Sequence, residues 1–122
     1  MGTPIAFVIH PELRYVPSSR SVNLLLDEAC LLANAIDLEV VKSEVIALAK
    51  LLAGSYFGKG VTKRLGDLAE DFTHEIDAPA VIINTSLSPV QQRNLKTQIK
   101  SKVIDRPLIT LLMHRLNTYS IF

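Results

Sequence analysis

The chain has 122 residues, which suits a single domain because domains cluster near about 100 to 150 residues. Hydrophobic residues make up 48% of it and charged residues 20%, a balance typical of a folded globular protein rather than a disordered chain. The net charge of +1 excludes a global field that attracts nucleic acid or anionic lipid, so such a partner must bind a local patch.

The cysteine and apolar patterns predict a cytoplasmic protein without a membrane partner. A single cysteine, Cys30, excludes an internal disulfide and a multi-cysteine metal site, and its apolar helical context indicates a small buried hydrophobe. No basic and apolar signal segment is visible, and no run approaches the roughly 20 apolar residues that cross a bilayer.

The first half of the chain alternates strand and helix patterns. Residues 5–9 form a continuous apolar run, which predicts a buried strand ended by His10 and Pro11. Apolar residues at helical spacing predict a helix over 22–36. Residues 38–48 mix alternation with β-branched side chains and predict a strand, whose second half also suits a continuing helix.

The alternation continues through the middle of the chain. Residues 54–60 form a glycine-bearing loop, and the apolar spacing that follows predicts a helix over 61–76. Residues 79–83 are uninterrupted apolar and rich in β-branched side chains, which predicts a central strand covered on both faces.

The last third of the chain contains a well-formed helix start at residues 88–91. In residues 88–91, Ser-Pro-Val-Gln, the serine can cap, proline suits the first helical position, and glutamine can reach back to the cap. This helix should extend to about residue 100. A short strand over 102–105 and a last helix over 108–116 complete the pattern.

The resulting order, βαβαβαβα, determines the fold class that we expect. Strands that alternate with amphipathic helices form a parallel sheet through right-handed crossovers. The sequence therefore predicts an α/β protein, a single three-layer domain with an open, mostly parallel four-stranded sheet flanked by helices.

The loop before the second helix invites a phosphate-binding interpretation through Gly58, Lys59 and Gly60. Backbone N–H groups at a helix start and a nearby cation can hold an anion or nucleotide. The P-loop pattern fails, because only three residues separate the first two glycines and Gly60 stands where Ser or Thr should follow the lysine. Two interpretations of this loop therefore remain: a looser anion site and a plain turn.

Polar residues end the predicted strands at His10, Asn84, Asp105 and Arg106. The carboxyl ends of parallel strands share one edge, where ligands of such sheets bind, so these residues should converge. Acid/base chemistry is one interpretation of this group, and capping or fixing of loops is the other.

No complete catalytic or metal-binding constellation is visible in the sequence. The histidines lack the spacing of a metal motif, no serine lies in a G-x-S-x-G elbow, and Cys30 lies mid-helix. We therefore expect no metal, no cofactor and no enzymatic activity from these residues.

Basic residues gather in two places where helix faces are exposed. They could meet phosphates, or they could form an ordinary solvated face. The two groups are Lys59, Lys63 and Arg64, and Arg93, Lys96, Lys100 and Lys102.

Two short sequence segments contain residues that their predicted secondary structure does not explain. Residues 87–95 read L-S-P-V-Q-Q-R-N-L, residues 102–106 read K-V-I-D-R, and capping does not explain Gln92, Arg93 and Asn94. Together with Y-F-G-K-G ahead of a helix and His-Pro after the first strand, they resemble the N-terminal domain of HflX-type ribosome-associated GTPases.

The resemblance implies a cytoplasmic, bacterial-type protein whose family binds the large ribosomal subunit, contacts rRNA and acts in translation. In that family a helical linker and a GTP-hydrolysing domain follow, and GTP and Mg²⁺ are expected only there. The resemblance covers most of the stretch from about residue 5 to 106. It therefore predicts an HflX-like α/β domain over residues 1–106 and a divergent or truncated helical tail over residues 107–122. A fragment, a truncated gene product and a free-standing paralogue all fit this pattern.

These observations lead to one main hypothesis and two alternatives. The main one is a non-catalytic module that contacts the large subunit or its RNA through Gln91, Gln92, Arg93, Asn94, Lys96 and Lys59. The first alternative is a small-ligand or nucleotide-binding α/β domain that uses the carboxyl edge of the sheet and the Lys59 loop. The second is a non-functional truncated fragment, and self-association through surface left uncovered by the linker is a further expectation.

Overall fold

Strand and helix alternate along the whole described part of the chain, as the sequence predicts. The computed structural model of the protein describes residues 4–15, 21–73 and 78–120. The elements are β1 (Ile5–Leu13), α1 (Val22–Ala35), β2 (Glu39–Leu48), α2 (Lys59–Thr73), β3 (Ala80–Ile83), α3 (Pro89–Ile99), β4 (Val103–Asp105) and α4 (Arg106–Ser120).

The strands form one sheet in the order β2-β1-β3-β4, and every pair is parallel. This confirms the predicted open, four-stranded parallel sheet. The strand order reverses between β1 and β3, because β2 is added on one side of β1 and β3 and β4 on the other. This is the switch point where ligands of such folds bind. A register shift between Ala6 and Phe7 places an extra β2 residue opposite β1.

The two faces of the sheet are covered by different helices, which confirms three layers. Phe7, Ile9 and Val81 lie in one core with side chains of α2 and α3. Val8 and Ile82 lie in a second core with side chains of α1 and α4. Successive strand residues thus alternate between the two cores, and both middle strands are apolar throughout because neither face meets water.

The first strand extends four residues beyond its predicted end, and Pro11 does not break it. The Ile9 carbonyl accepts from Asn84 N–H beside β3, so odd-numbered residues of β1 bond toward β3. β3 ends at Ile83, opposite Ile9, and the missing N–H of Pro11 therefore faces a side where no strand remains. The prediction of a strand end at His10 and Pro11 was wrong for this reason.

Other element boundaries also differ from the predicted ones or were left open by the sequence. β2 stays a strand to Leu48, because residues 42–48 remain paired with β1 to its end. The last helix begins at Arg106 rather than residue 108, because Asp105 Oδ1 accepts a hydrogen bond from Leu108 N–H at 3.1 Å. The predicted end of α2, residues 74–76, lies outside the described residues.

Helix α4 packs as part of the same three layers through Ile109. Ile109 of α4 is 1% exposed and lies in the core beneath α1. None of the described helices is long and apolar enough to span a bilayer.

The helices α2 and α3 approach each other closely at Gly66. A Cβ on this residue would lie 3.3 Å from the Gln98 carbonyl oxygen and 3.6 Å from the Ile99 Cα. The absence of a side chain therefore allows the C-terminal end of α3 to lie directly against the backbone of α2.

Candidate functional site

The start of α3 is held by the predicted capping box. Gln91 N–H donates to Ser88 Oγ at 3.1 Å, and Ser88 N–H donates to Gln91 Oε1 at 2.9 Å. Pro89 occupies the first helical position. These bonds satisfy N–H groups that a helix start otherwise leaves unpaired.

Three amides of α3 continue from this cap into the rest of the fold. Gln91 Nε2 donates to the Leu52 carbonyl at 2.8 Å, and Asn94 Nδ2 donates to the Gly54 carbonyl at 2.7 Å. Gln92 Nε2 donates to the Val103 carbonyl at 3.0 Å. The first two bonds fasten α3 to the loop after β2, and the third fastens it to β4.

The fastened loop has a fixed shape of its own. Leu52 and Tyr56 exchange backbone hydrogen bonds at 2.9 and 3.0 Å, and Ser55 Oγ donates to the Phe57 carbonyl. Tyr56 has a φ of 65°, and the aromatic side chains of Tyr56 and Phe57 are both buried. A residue other than glycine is held in the left-handed region here because the surrounding contacts determine its position.

The amide side chains of the α3 motif are bonded within the protein. Gln91 is 6% exposed, and both ends of its amide are bonded within the protein. The amide nitrogens of Gln92 and Asn94 also have intramolecular acceptors. These amide nitrogens therefore have a structural role, whereas the contact of the motif with RNA stays a prediction. Arg93 and Lys96 are the exposed cations of the motif.

The glycine-lysine segment lies at the start of α2. The Gly58 carbonyl accepts Thr62 N–H, and Thr62 Oγ1 donates to the Lys59 carbonyl. Neither Gly58 nor Gly60 has a positive φ, and a Cβ on either would meet nothing within 4 Å. The fold therefore does not require glycine at these two positions, and the exposed Lys59 begins an uncrowded helix end.

Exposed cations on the α2 and α3 layer fall into two classes. Lys63 pairs with Asp67 at 3.5 Å, and Arg64 forms two hydrogen bonds with the carboxylate of Glu44. These two cations form the first class. The second class has no ion pair in the described part of the chain and comprises Lys59, Arg93, Lys96, Lys100 and Lys102.

A polar network lies at the switch point between β1 and β3. Asn84 is its centre: Nδ2 lies 3.0 Å from His10 Nδ1, and Oδ1 accepts from the Arg106 guanidinium at 2.9 Å. Arg106 also donates to Glu28 Oε1 of α1 at 2.9 Å. The structure thus brings His10, Asn84 and Arg106 together as predicted, and adds Glu28, which sequence reasoning missed.

The network determines the protonation state of His10. Because Asn84 Oδ1 accepts from Arg106, Asn84 Nδ2 points to His10 Nδ1, which must then act as an acceptor. Burial lowers the pKa of His10 below its ordinary value of 6.5, against an opposing effect of Glu12. The ring is therefore a neutral imidazole with its proton on Nε2.

Asp105, the fourth predicted edge residue, has a separate structural task. Its Oδ1 caps α4, and its Oδ2 accepts from Leu87 N–H at 3.3 Å. The carboxylate therefore links the end of β4 to the loop before α3, and this is the capping alternative that the sequence left open.

Among the described residues, no group of three or more His, Cys, Asp or Glu could hold a metal ion. Burial raises the pKa of the Cys30 thiol, which disfavours the reactive thiolate.

Comparison with known families identifies the domain. The family described as GTP-binding GTPase N-terminal matches residues 24–113, well over half of the chain. The chain belongs to this family.

Curated relatives specify the type. A GTPase HflX of Magnetococcus marinus is 38% identical over 82 residues, covering 67% of the chain and 18% of the relative. A GTPase HflX of Lacrimispora saccharolytica is 36% identical over 58 residues, covering 48% of the chain and 13% of the relative. The chain is an HflX-type N-terminal domain that spans less than a fifth of the length of these relatives.

Solved structures share the fold of this HflX-type domain. The crystal structure of SsGBP in complex with GDP has a TM-score of 0.65 at 14% identity, covering 92% of this chain and 29% of that one. A GTP-binding protein of Sulfolobus solfataricus in complex with GDP has a TM-score of 0.61, also at 14% identity, covering 89% and 30%. At this identity the likeness shows the fold alone.

The bond from Gln91 to the Leu52 carbonyl predicts a measurable loss when it is removed. We expect Gln91→Leu to lower the free energy of unfolding by about 1–3 kcal/mol, because it removes the capping box and one of the two hydrogen bonds that the Leu52 carbonyl accepts. Denaturant unfolding measures the loss, and faster hydrogen exchange at Tyr56 N–H would locate it in the loop. The exposed Gln98→Leu on the same helix is the control, and equal losses for both would contradict the structural role.

The lowered pKa of His10 predicts acid-sensitive stability. The unfolded chain takes up a proton near pH 6.5 while the folded ring resists it, so stability from this group is complete above that pH and decreases as the pH falls below it. We expect wild-type protein to lose stability between pH 7 and 5 more steeply than His10→Gln. Parallel slopes in denaturant unfolding would show that the ring does not carry this dependence.

Proposed function

We propose that this domain is a non-catalytic module that contacts the large ribosomal subunit, with rRNA phosphates as the ligands of its exposed cations. The observation that carries the proposal is the division of the α3 motif. Its amides bond inward, whereas Arg93 and Lys96 are exposed and have no ion-pair partner among the described residues. Family membership supports the choice of partner.

The electrostatics favour a local contact rather than a general attraction to RNA. Arg93 and Lys96 are three positions apart and therefore neighbours on the α3 surface, and Lys59 lies at the start of the neighbouring helix. The net charge of +1 provides little attraction from a distance. Binding should consequently depend on a few positioned cations that meet phosphates.

The inward amides support this function by keeping the surface rigid. Gln91 and Asn94 fasten the loop that leads into α2, and so they relate the position of Lys59 to that of Arg93 and Lys96. A surface that is already ordered loses less conformational entropy when it binds. This explains why the amides and cations of the motif stand side by side in one segment.

The proposal includes no catalytic step within this domain. The polar groups at the carboxyl edge are bonded to one another, and Asp105 caps a helix. GTP hydrolysis would then belong to other parts of the longer HflX relatives, with GTP and Mg²⁺ bound there. This domain would supply binding to the ribosome in the cytoplasm.

The proposal predicts the effect of removing two cations. Arg93→Gln combined with Lys96→Gln should weaken co-sedimentation with purified large subunits and lower the slope of log affinity against log salt by about 1 to 2, because each phosphate contact releases counterions. The control is Lys42→Gln combined with Arg115→Gln, which removes the same charge from β2 and α4.

The control separates a specific surface from net charge. Wild-type affinity and salt slope should persist in the control variant. Equally weakened binding of both variants would show that binding depends on overall charge. If folded wild-type protein does not co-sediment with large subunits at low salt, the contact itself is refuted.

A further inference from the structure

The carboxyl edge of the sheet carries an aromatic side chain that does not contribute to the core. Tyr15 follows the end of β1 and is 60% exposed, whereas Tyr56 and Phe57 are buried. Within the described residues, its ring contacts no other aromatic ring and its hydroxyl has no hydrogen-bond partner. The backbone before it is fixed, because Arg14 N–H donates to the Leu48 carbonyl at 3.0 Å and joins the ends of β1 and β2.

Exposed cations occupy the same edge of the sheet. Arg14 precedes the tyrosine, and Lys50 lies two residues after Leu48, the partner of Arg14 N–H. Lys59 begins α2 and Arg93 lies near the start of α3, and both helices start at this edge because they follow parallel strands that end there. The described residues contain no ion-pair partner for these four cations.

Carboxylates do not offset these cations at the carboxyl edge of the α2 and α3 layer. Helix α3 carries no acidic residue, and the acidic residues of α2 lie in its C-terminal half, toward the opposite edge. Of the carboxylates at the carboxyl edge, Glu12 is half-buried near His10, and Asp105 caps α4. This edge therefore presents positive charge, although the net charge of the chain is only +1.

An exposed aromatic ring beside cations is the combination that binds single-stranded nucleic acid. The cations meet phosphates, and the ring stacks on a base whose face is free. Paired bases in a duplex are already stacked on their neighbours, so the ring adds nothing to a duplex contact. Among the described aromatic side chains, Tyr15 is the one that is exposed enough to serve in this way.

The tyrosine is continuous with the cations of α3 through an ordered loop. Gln91 Nε2 of α3 donates to the carbonyl of Leu52, which lies two residues after Lys50. The loop after β2 thus connects the end of β1 to the start of α3. An extended RNA strand that runs along this loop meets Arg14, Lys50 and Arg93 in turn.

We propose that Tyr15 stacks on an unpaired base of rRNA, with Arg14 and Lys50 on the adjoining phosphates. The stacking rests on the proposed ribosome contact and makes single-stranded RNA its ligand. It adds a base contact at the end of β1 to the phosphate contacts of α2 and α3. Stacking tolerates any base, so the site selects unpaired RNA rather than a sequence.

A fluorescence titration of the whole domain tests the stacking. The chain has no tryptophan, so Tyr15→Trp introduces a single indole. Octaadenylate should quench its emission and the quenching should saturate, because a stacked base quenches indole, whereas inorganic polyphosphate of matched charge should not. Leu31→Trp places the indole on the exposed face of α1, and its emission should not respond to octaadenylate.

Two further variants separate the ring from its hydroxyl and from the charge. Tyr15→Ala should weaken the binding of labelled octaadenylate by about tenfold, the effect of losing one base stack, whereas Tyr15→Phe should bind as wild type does. Both should unfold at the wild-type temperature because the side chain is exposed. Co-sedimentation with purified large subunits should show the same order of affinities.

Several outcomes would overturn the stacking. These are absence of octaadenylate binding, equal quenching by polyphosphate, wild-type affinity of Tyr15→Ala, and equal losses in Tyr15→Ala and Tyr15→Phe. The ribosome contact fails in a different way: folded wild-type protein then does not co-sediment with large subunits. Co-sedimentation that is unchanged in Tyr15→Ala retains the contact and refutes the stacking.

Discussion

In the two middle strands of a parallel sheet that helices cover on both faces, polar side chains fit only at the strand ends. β1 and β3 are buried on both faces, and their residues divide alternately between two apolar cores. Polar chemistry is therefore concentrated at the two edges. The carboxyl edge holds both the network around Asn84 and the cations beside Tyr15.

The same constraint explains the α3 motif that identifies the family. Gln91 and Gln92 lie close to the sheet, where an amide must be paired, and they find backbone carbonyls at Leu52 and Val103. Arg93 and Lys96 lie on the outer surface, where a cation stays solvated. One helix thus both orders a neighbouring loop and displays charge, and the second property is the one that can reach a partner.

The sequence predicts the element order, the sheet type and the capping box because each depends on neighbours along the chain. It does not predict that β1 continues through Pro11, since that depends on where β3 ends. Glu28 is missed because its partner Arg106 is 78 residues away and no local spacing marks the pair. The Gln91 bond to Leu52, between residues 39 positions apart, is missed for the same reason.

We propose that the α3 motif separates amides that bond inward from cations that bind a partner. Lysine acetylation followed by mass spectrometry, with and without purified large ribosomal subunits, tests this separation directly. We expect Lys96 and Lys59 to become protected in the complex, whereas Lys42 on β2 should react at an unchanged rate. Unchanged reactivity of Lys96 and Lys59 in a demonstrated complex, or protection confined to Lys42, would contradict it.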